Sequence, residues 1–261
     1  MIEGRVLRRM AAERRLGLDI VEKDYALGWI LKGVSASSVS DNLVFKGGTA
    51  LSKVYYPLNW RISEDLDFTL LGGSMEGVSS RLREELPGIV EEQSGGVRLS
   101  LRDPYVRPDF LRVTASFYGP ITQHRTRIEV TREKFIGDYG RMVAPASYDC
   151  PDFSLLAYTL DNILAEKLRS LIERTRIRDN YDSWRLLSMN VVDNDLVKEL
   201  FLDKCKGKGI VFNEVGQLFL SDLISTLEPH LEDLTRMTAE PLPPLKDMIK
   251  ELEYWLRHVL K

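Results

Sequence analysis

Phe45-Lys46-Gly47-Gly48-Thr49-Ala50-Leu51-Ser52-Lys53, followed eight residues later by Arg61-Ile62-Ser63-Glu64-Asp65-Leu66-Asp67-Phe68, is the stretch that decides the fold. Leu43, Val44 and Phe45 form a short apolar run that breaks at two glycines and re-enters as a helix with Ala50, Leu51 and Val54 on one side. A strand that feeds a glycine turn and a helix start leaves backbone N–H groups facing open space, the arrangement proteins use to hold phosphate. The second string reads as a strand. Its side-chain period of two puts Asp65 and Asp67 on one face, while Leu66, Phe68 and Leu70 turn to the other.

Two carboxylates about 6 Å apart repel by about 2 to 3 kcal/mol at an effective dielectric near 20, which invites a divalent cation or a shared proton. Oxygen-only ligands favour magnesium or manganese over zinc. The pattern therefore reads as a metal-dependent site for a nucleoside triphosphate. The alternative is a glycine turn with two solvated acids at a strand edge.

The strings Lys46-Gly47-Gly48-Thr49-Ala50-Leu51 and Arg61-x-Ser63-Glu64-Asp65-Leu66-Asp67-Phe68 resemble the signature of the AbiEii/AbiGii-type nucleotidyltransferase toxins, a branch of the DNA polymerase beta-like nucleotidyltransferase superfamily. Val21 to Leu27, Ile163 to Arg169 and Arg178-Asp179-Asn180-Tyr181-Asp182 resemble further elements of that family. The resemblance implies transfer of a nucleoside monophosphate from an NTP to an acceptor, with a tRNA 3′ end as the acceptor in related toxins. It also leaves room for a cognate antitoxin. By this likeness Lys167 binds the triphosphate or stabilises charge on the leaving pyrophosphate, Asp179 orients that lysine or the nucleotide, and Asp182 supports Asp179.

Bulk properties set limits. With 261 residues the chain suffices for one large domain or two small ones. A formal charge of −3 argues against a generally basic coat, so any RNA contact must come from a local patch. Cys150 and Cys205 are far apart in sequence and in no metal-ligand spacing, which points to free thiols in a reducing cytoplasm. No apolar run approaches a bilayer span, so no membrane partner is expected.

Taken in order, residues 2 to 33 read as helices, 75 to 92 as an amphipathic helix that Pro87 threatens to break, and 97–101, 111–118 and 126–130 as strands. Glu129 stands between Ile128 and Val130 and faces away from the core, where it can serve as a third metal-side carboxylate or as the base for the attacking hydroxyl. Any half-exposed strand offers the same acid.

Residues 132–152 are rich in glycine and proline and mark the expected boundary between lobes 1–150 and 151–261, with helices throughout the second. Lys167, Arg174 and Arg178 fall along one line of an ideal helix, a basic row for a triphosphate or an RNA backbone, or simply a solvated face. Asp179 doubles as an N-cap for a helix from about Tyr181. Lys204, Lys206 and Lys208 suggest a basic glycine loop.

The expected fold is α+β, with a mixed-sheet nucleotidyltransferase N-terminal lobe, a helical C-terminal lobe and the NTP between them. Asp65, Asp67 and Glu129 are the candidate metal ligands for Mg2+ or Mn2+. Gly47, Gly48, Thr49, Ser63, Lys167 and Arg174 are the candidate nucleotide contacts, and Asp65, Asp67, Lys167, Asp179 and Glu129 the candidate catalytic set. Nucleotidylation of a small molecule or protein, and nucleotide binding without chemistry, are the competing functions.

Overall fold

The computed structural model describes all 261 residues, in two compact units. The first comprises residues 1–133 and 140–157, and the second 134–139 and 158–261.

The chain opens with α1 (Gly4–Arg14) and α2 (Leu18–Ala36), then enters β1 (Leu43–Lys46) and the short α3 (Gly47–Ala50), which continues as a π turn over Leu51–Tyr55. A loop leads to β2 (Leu66–Leu70) and α4 (Met75–Ser94). Helix α4 starts where the Ser74 hydroxyl accepts from the Gly77 amide at 3.0 Å and stops at Gly95, whose φ of +65° a glycine adopts without strain. It runs through Pro87 to Ser94 where the sequence suggested a late break. Strands β3 (Arg98–Arg107), β4 (Phe110–Tyr118) and β5 (Gln123–Thr131) form an antiparallel meander.

Two strands escaped the sequence reading. β6 (Tyr139–Ala144) lies in the glycine-rich crossing, and β7 (Phe153–Tyr158) where only helices were expected. β7 exists because Phe45 pairs with Ala157 in parallel, a contact between residues more than a hundred positions apart that no local period reveals.

The resulting sheet is mixed, with order β3-β4-β5-β2-β1-β7-β6, as the α+β expectation requires. Leu43, Phe45, Leu66, Phe68, Leu70, Ile128 and Val130 are buried, with the Phe45 and Phe68 rings 5.2 Å apart. Helices α2 and α4 complete this core. Gly33 of α2 meets α4 so closely that an added Cβ would stand 2.6 Å from Val90, which accounts for glycine there.

The second unit contains α5 (Leu160–Glu173), α6 (Ile177–Ser188), α7 (Asn194–Gly207), α8 (Leu223–Leu227), α9 (Leu231–Arg236) and α10 (Leu245–Val259). Asp193 caps α7, accepting from the Asp195 and Leu196 amides. Ile177, Tyr181, Leu223, Leu227, Leu234, Leu245, Met248 and Ile249 form one apolar cluster. The proposed basic loop is in fact the last turn of α7. Lys204 is buried there, donating to the Ile136 carbonyl at 3.1 Å and lying over the Tyr158 ring.

Candidate functional site

In the first unit the turn after β1 and the start of β2 are built against each other. Gly47 has φ +77°, and a Cβ added to it would sit 2.9 Å from Asp67 Oδ2. At Gly48 a Cβ would come within 2.5 Å of the Arg61 guanidinium and 3.3 Å of Ser63 Oγ. Gly47 is thus required by its left-handed backbone and its approach to Asp67, while a side chain at Gly48 would displace the Arg61 guanidinium. The turn, Ser63 and Asp67 belong to one constellation.

Strand register extends it. Lys46 lies opposite Asp67 on β1, Asp67 opposite Glu129 on β5, and Glu129 opposite Arg112 on β4. Because directly paired residues share a face, the four side chains form one row across the sheet. Arg112 Nε holds Glu129 Oε1 at 2.7 Å, and buried Lys46 reaches Glu133 at 3.4 Å.

Asp65 lies one residue before β2, on the loop that leads into it, where the sequence placed it within the strand. The loop is pinned from three sides. The Thr49 hydroxyl donates to the Asp65 carbonyl, the Thr126 hydroxyl to the Glu64 carbonyl at 2.5 Å, and Lys23 binds the Glu64 carboxylate at 3.1 Å. Thr49 is fully buried, so its hydroxyl proton serves this loop. Burial pushes the Asp65 carboxyl above its ordinary range; Lys23 and Arg127 oppose this, while Glu129 and Glu64 reinforce it.

Among these groups Thr126, Lys23 and Lys46 were not singled out from sequence. Lys46 could have been found from its position at the end of an otherwise apolar strand. The acids Glu22 and Asp24 of Val21 to Leu27 are buried and paired. Glu22 accepts from the Ile121 and Thr122 amides and contacts His124 at 2.9 Å, while Asp24 pairs with Lys53 at 2.6 Å.

The second unit holds a compact charge cluster. Lys167 Nζ lies 2.6 Å from Asp179 Oδ1 and 3.0 Å from Asp182 Oδ2, and Arg174 Nε reaches Asp179 Oδ2 at 3.0 Å. All but Arg174 are buried. Burial works to raise the Asp179 pKa, but Lys167 and Arg174 outweigh it and bring it down to about 2.

Two sequence expectations are corrected here. Lys167, Arg174 and Arg178 do not form a row on one helix, because α5 ends at Glu173, Arg174 is extended at φ −158° and ψ 145°, and Arg178 belongs to α6. Asp179 is not the N-cap; that position is Arg176, and Asp179 sits in the first turn with its carboxylate given to Lys167 and Arg174.

No group of three or more His, Cys, Asp or Glu side chains is arranged as a metal cage. Magnesium does not need one, since it takes one or two carboxylates and completes its shell with water and substrate phosphate. Asp65 and Asp67 fit that demand. They are hard oxygen donors beside a glycine turn, and the disfavoured negative charge on Asp65 is one that a cation would offset.

A family model described as "Nucleotidyl transferase AbiEii toxin, Type IV TA system" matches residues 29–256. Among solved structures the chain is similar to MenT4, a nucleotidyltransferase toxin from Mycobacterium tuberculosis H37Rv, at 19% identity and a TM-score of 0.73, covering 100% of this chain and 89% of that one. JHP933 from Helicobacter pylori aligns at 18% identity and a TM-score of 0.58, covering 94% of this chain and 93% of that one. At such identities the likeness shows the fold. No curated protein matches the sequence significantly. No helix is long and apolar enough to cross a membrane.

Proposed function

The chain belongs to the AbiEii nucleotidyltransferase toxin family of type IV toxin-antitoxin systems, and from that premise we propose that it moves a nucleoside monophosphate from an NTP to the 3′ end of a tRNA in a magnesium-dependent reaction. Family membership makes it a nucleotidyltransferase, and it implies a nucleoside triphosphate substrate and an antitoxin partner. Metal, acceptor and residue roles are our own assignments.

The observation that carries the reading is the contact between Gly47 and Asp67, which joins the phosphate-type turn to the carboxylate row. In the proposed reaction the acceptor 3′ oxygen bonds to the α-phosphorus. The bond from that phosphorus to the bridging oxygen breaks, and pyrophosphate leaves with the electron pair. Asp65 and Asp67 would hold magnesium, which would supply positive charge against that developing on the phosphates. Manganese would satisfy the same donors.

The amides of Gly47 and Gly48 and the Ser63 hydroxyl hold phosphate. Thr49 sets the position of Asp65 through its carbonyl. Glu129, paired with Asp67 across the sheet, is the third metal-side carboxylate or the acceptor for the proton of the attacking hydroxyl. Lys167, oriented by Asp179 and Asp182, binds the triphosphate or the departing pyrophosphate, with Arg174 beside it. Positioning and electrostatics suffice for such chemistry, so no side-chain nucleophile is required.

The test is incubation of the protein with each NTP labelled at its α-phosphate, magnesium and total RNA. Label should appear at the 3′ end of tRNA together with released pyrophosphate. Label confined to protein or to small molecules would reassign the acceptor.

A further inference from the structure

The outward face of the β3-β4-β5 meander carries six arginines, one of them Arg107 at the far end of β3, whose pairing with Phe110 puts it on the side of Arg112. Alternation places Arg98 and Arg102 on β3, Arg112 on β4, and Arg125 and Arg127 on β5 on the face opposite the buried Leu99, Val113, Ala115 and Ile128. Register makes the face continuous. Arg98 pairs with Tyr118 and Tyr118 with Gln123, Ser100 with Ser116 and Ser116 with Arg125, Arg102 with Thr114 and Thr114 with Arg127, and Arg112 with Glu129. The next strand is β2, where Glu129 meets Asp67.

Arg98, Arg102, Arg125 and Arg127 form no ion pair within the chain, although the molecule as a whole is acidic. Arg127 acts on Asp65 at longer range. Arg102, Arg125, Thr114, Ser116 and Tyr118 line a concavity of about 290 Å3, with Asp103 as the one acid in its wall. Tyr118 is 54% exposed, with the Arg98 guanidinium 5.9 Å from its ring centre.

We propose that this face is the acceptor platform, on which a single-stranded RNA lies with its phosphates against Arg102 and Arg125 and a base in the concavity beside Tyr118, its 3′ end directed toward Asp65 and Asp67. Uncompensated arginines on one face supply the charge that a polynucleotide requires, and hydroxyls with an exposed aromatic ring supply the polar and stacking contacts that bases use. An acidic protein would meet the same charge but would have no use for an exposed ring and a base-sized recess together. The strand order brings the platform to the carboxylate row with no intervening element. This inference rests on the nucleotidyl-transfer reading for the direction of the 3′ end, but not for the binding itself.

The test uses the full chain without NTP or metal, and a fluorescein-labelled single-stranded RNA dodecamer followed by anisotropy across a salt series. The R102A/R125A variant should bind at least about 10-fold more weakly, with a log–log salt slope shallower by about 1.4, as expected for two lost phosphate contacts on a single strand. The R102K/R125K variant should keep most of the slope, which shows that lost charge and not misfolding is responsible. Equal affinity and slope in all three proteins would overturn the proposal, even where RNA transfer is intact. Displacement of the RNA by polyglutamate at equal charge concentration would overturn it in favour of an acidic protein partner. Binding of this pattern in a protein that transfers no nucleotide would sustain the platform while removing the transfer reading.

Discussion

Gly47 and Asp67 approach each other so closely that a single methyl group on the glycine would stand 2.9 Å from the carboxylate oxygen. The contact makes the turn and the acid one object, and it fixes what a mutation at either place must do. Gly47→Ala adds the clash to a backbone held at φ +77°. We expect a loss of about 1 to 2 kcal/mol in urea unfolding, together with a marked fall in pyrophosphate release. An alanine variant of wild-type stability and rate would remove the turn from the site.

Asp65 should show function opposed to stability. Burial raises its folded pKa above the unfolded value, so ionisation at neutral pH costs the folded state, and that cost is relieved as pH falls through the folded pKa. Asp65→Asn should therefore stabilise the protein while abolishing transfer. Magnesium should raise the melting temperature of the wild type more than that of the variant. Calorimetry with and without the cation reads both effects, and an equal shift in the two proteins would exclude Asp65 as a ligand.

The Lys167 cluster has the opposite sign. With the Asp179 pKa lowered to about 2, its stabilisation is complete above the unfolded value near 4 and is lost as pH falls through 2. The contribution is about 2 kcal/mol, so Asp179→Asn should flatten the acid limb of the stability profile. Lys167→Met, which leaves two buried acids with one cation fewer, should cost about 3 kcal/mol. Urea midpoints across pH 2 to 7 check the pair.

Thr49 and Thr126 hold the loop before β2 through its carbonyls. Replacing either by valine should cost about 1 kcal/mol. Because both act through the position of Asp65, kcat should fall more than KM for the NTP rises. A change confined to KM for the NTP would instead make Thr49 a phosphate contact.

Much of this was legible in the chain because its signals are local. The apolar run to Phe45, the paired glycines and the alternation around Asp65 and Asp67 require only near neighbours, and they gave the strand, turn and strand that the site is built on. Glu129 could be placed on an outward face for the same reason, but its pairing with Asp67 and Arg112 is a matter of register between distant strands. The basic row through Lys167 failed because helical period carries no notice of the break at Arg174. β7 was missed because Leu155, Ala157 and Tyr158 run into the apolar pattern of α5. The arginine face is invisible for a related reason, since Arg102 and Arg125 become neighbours only when three strands are laid side by side.

Asp67, beside the Gly47 turn, is the group to which we assign the phosphoryl chemistry. The most direct measurement is magnesium-dependent pyrophosphate release with tRNA by the wild type and by Asp67→Asn, each verified as folded by its unfolding transition. We expect release matched by label on the tRNA 3′ end in the wild type, and a fall of at least about 1,000-fold in the variant, equivalent to about 4 kcal/mol of transition-state stabilisation. Turnover by Asp67→Asn within a few-fold of wild type would contradict the account.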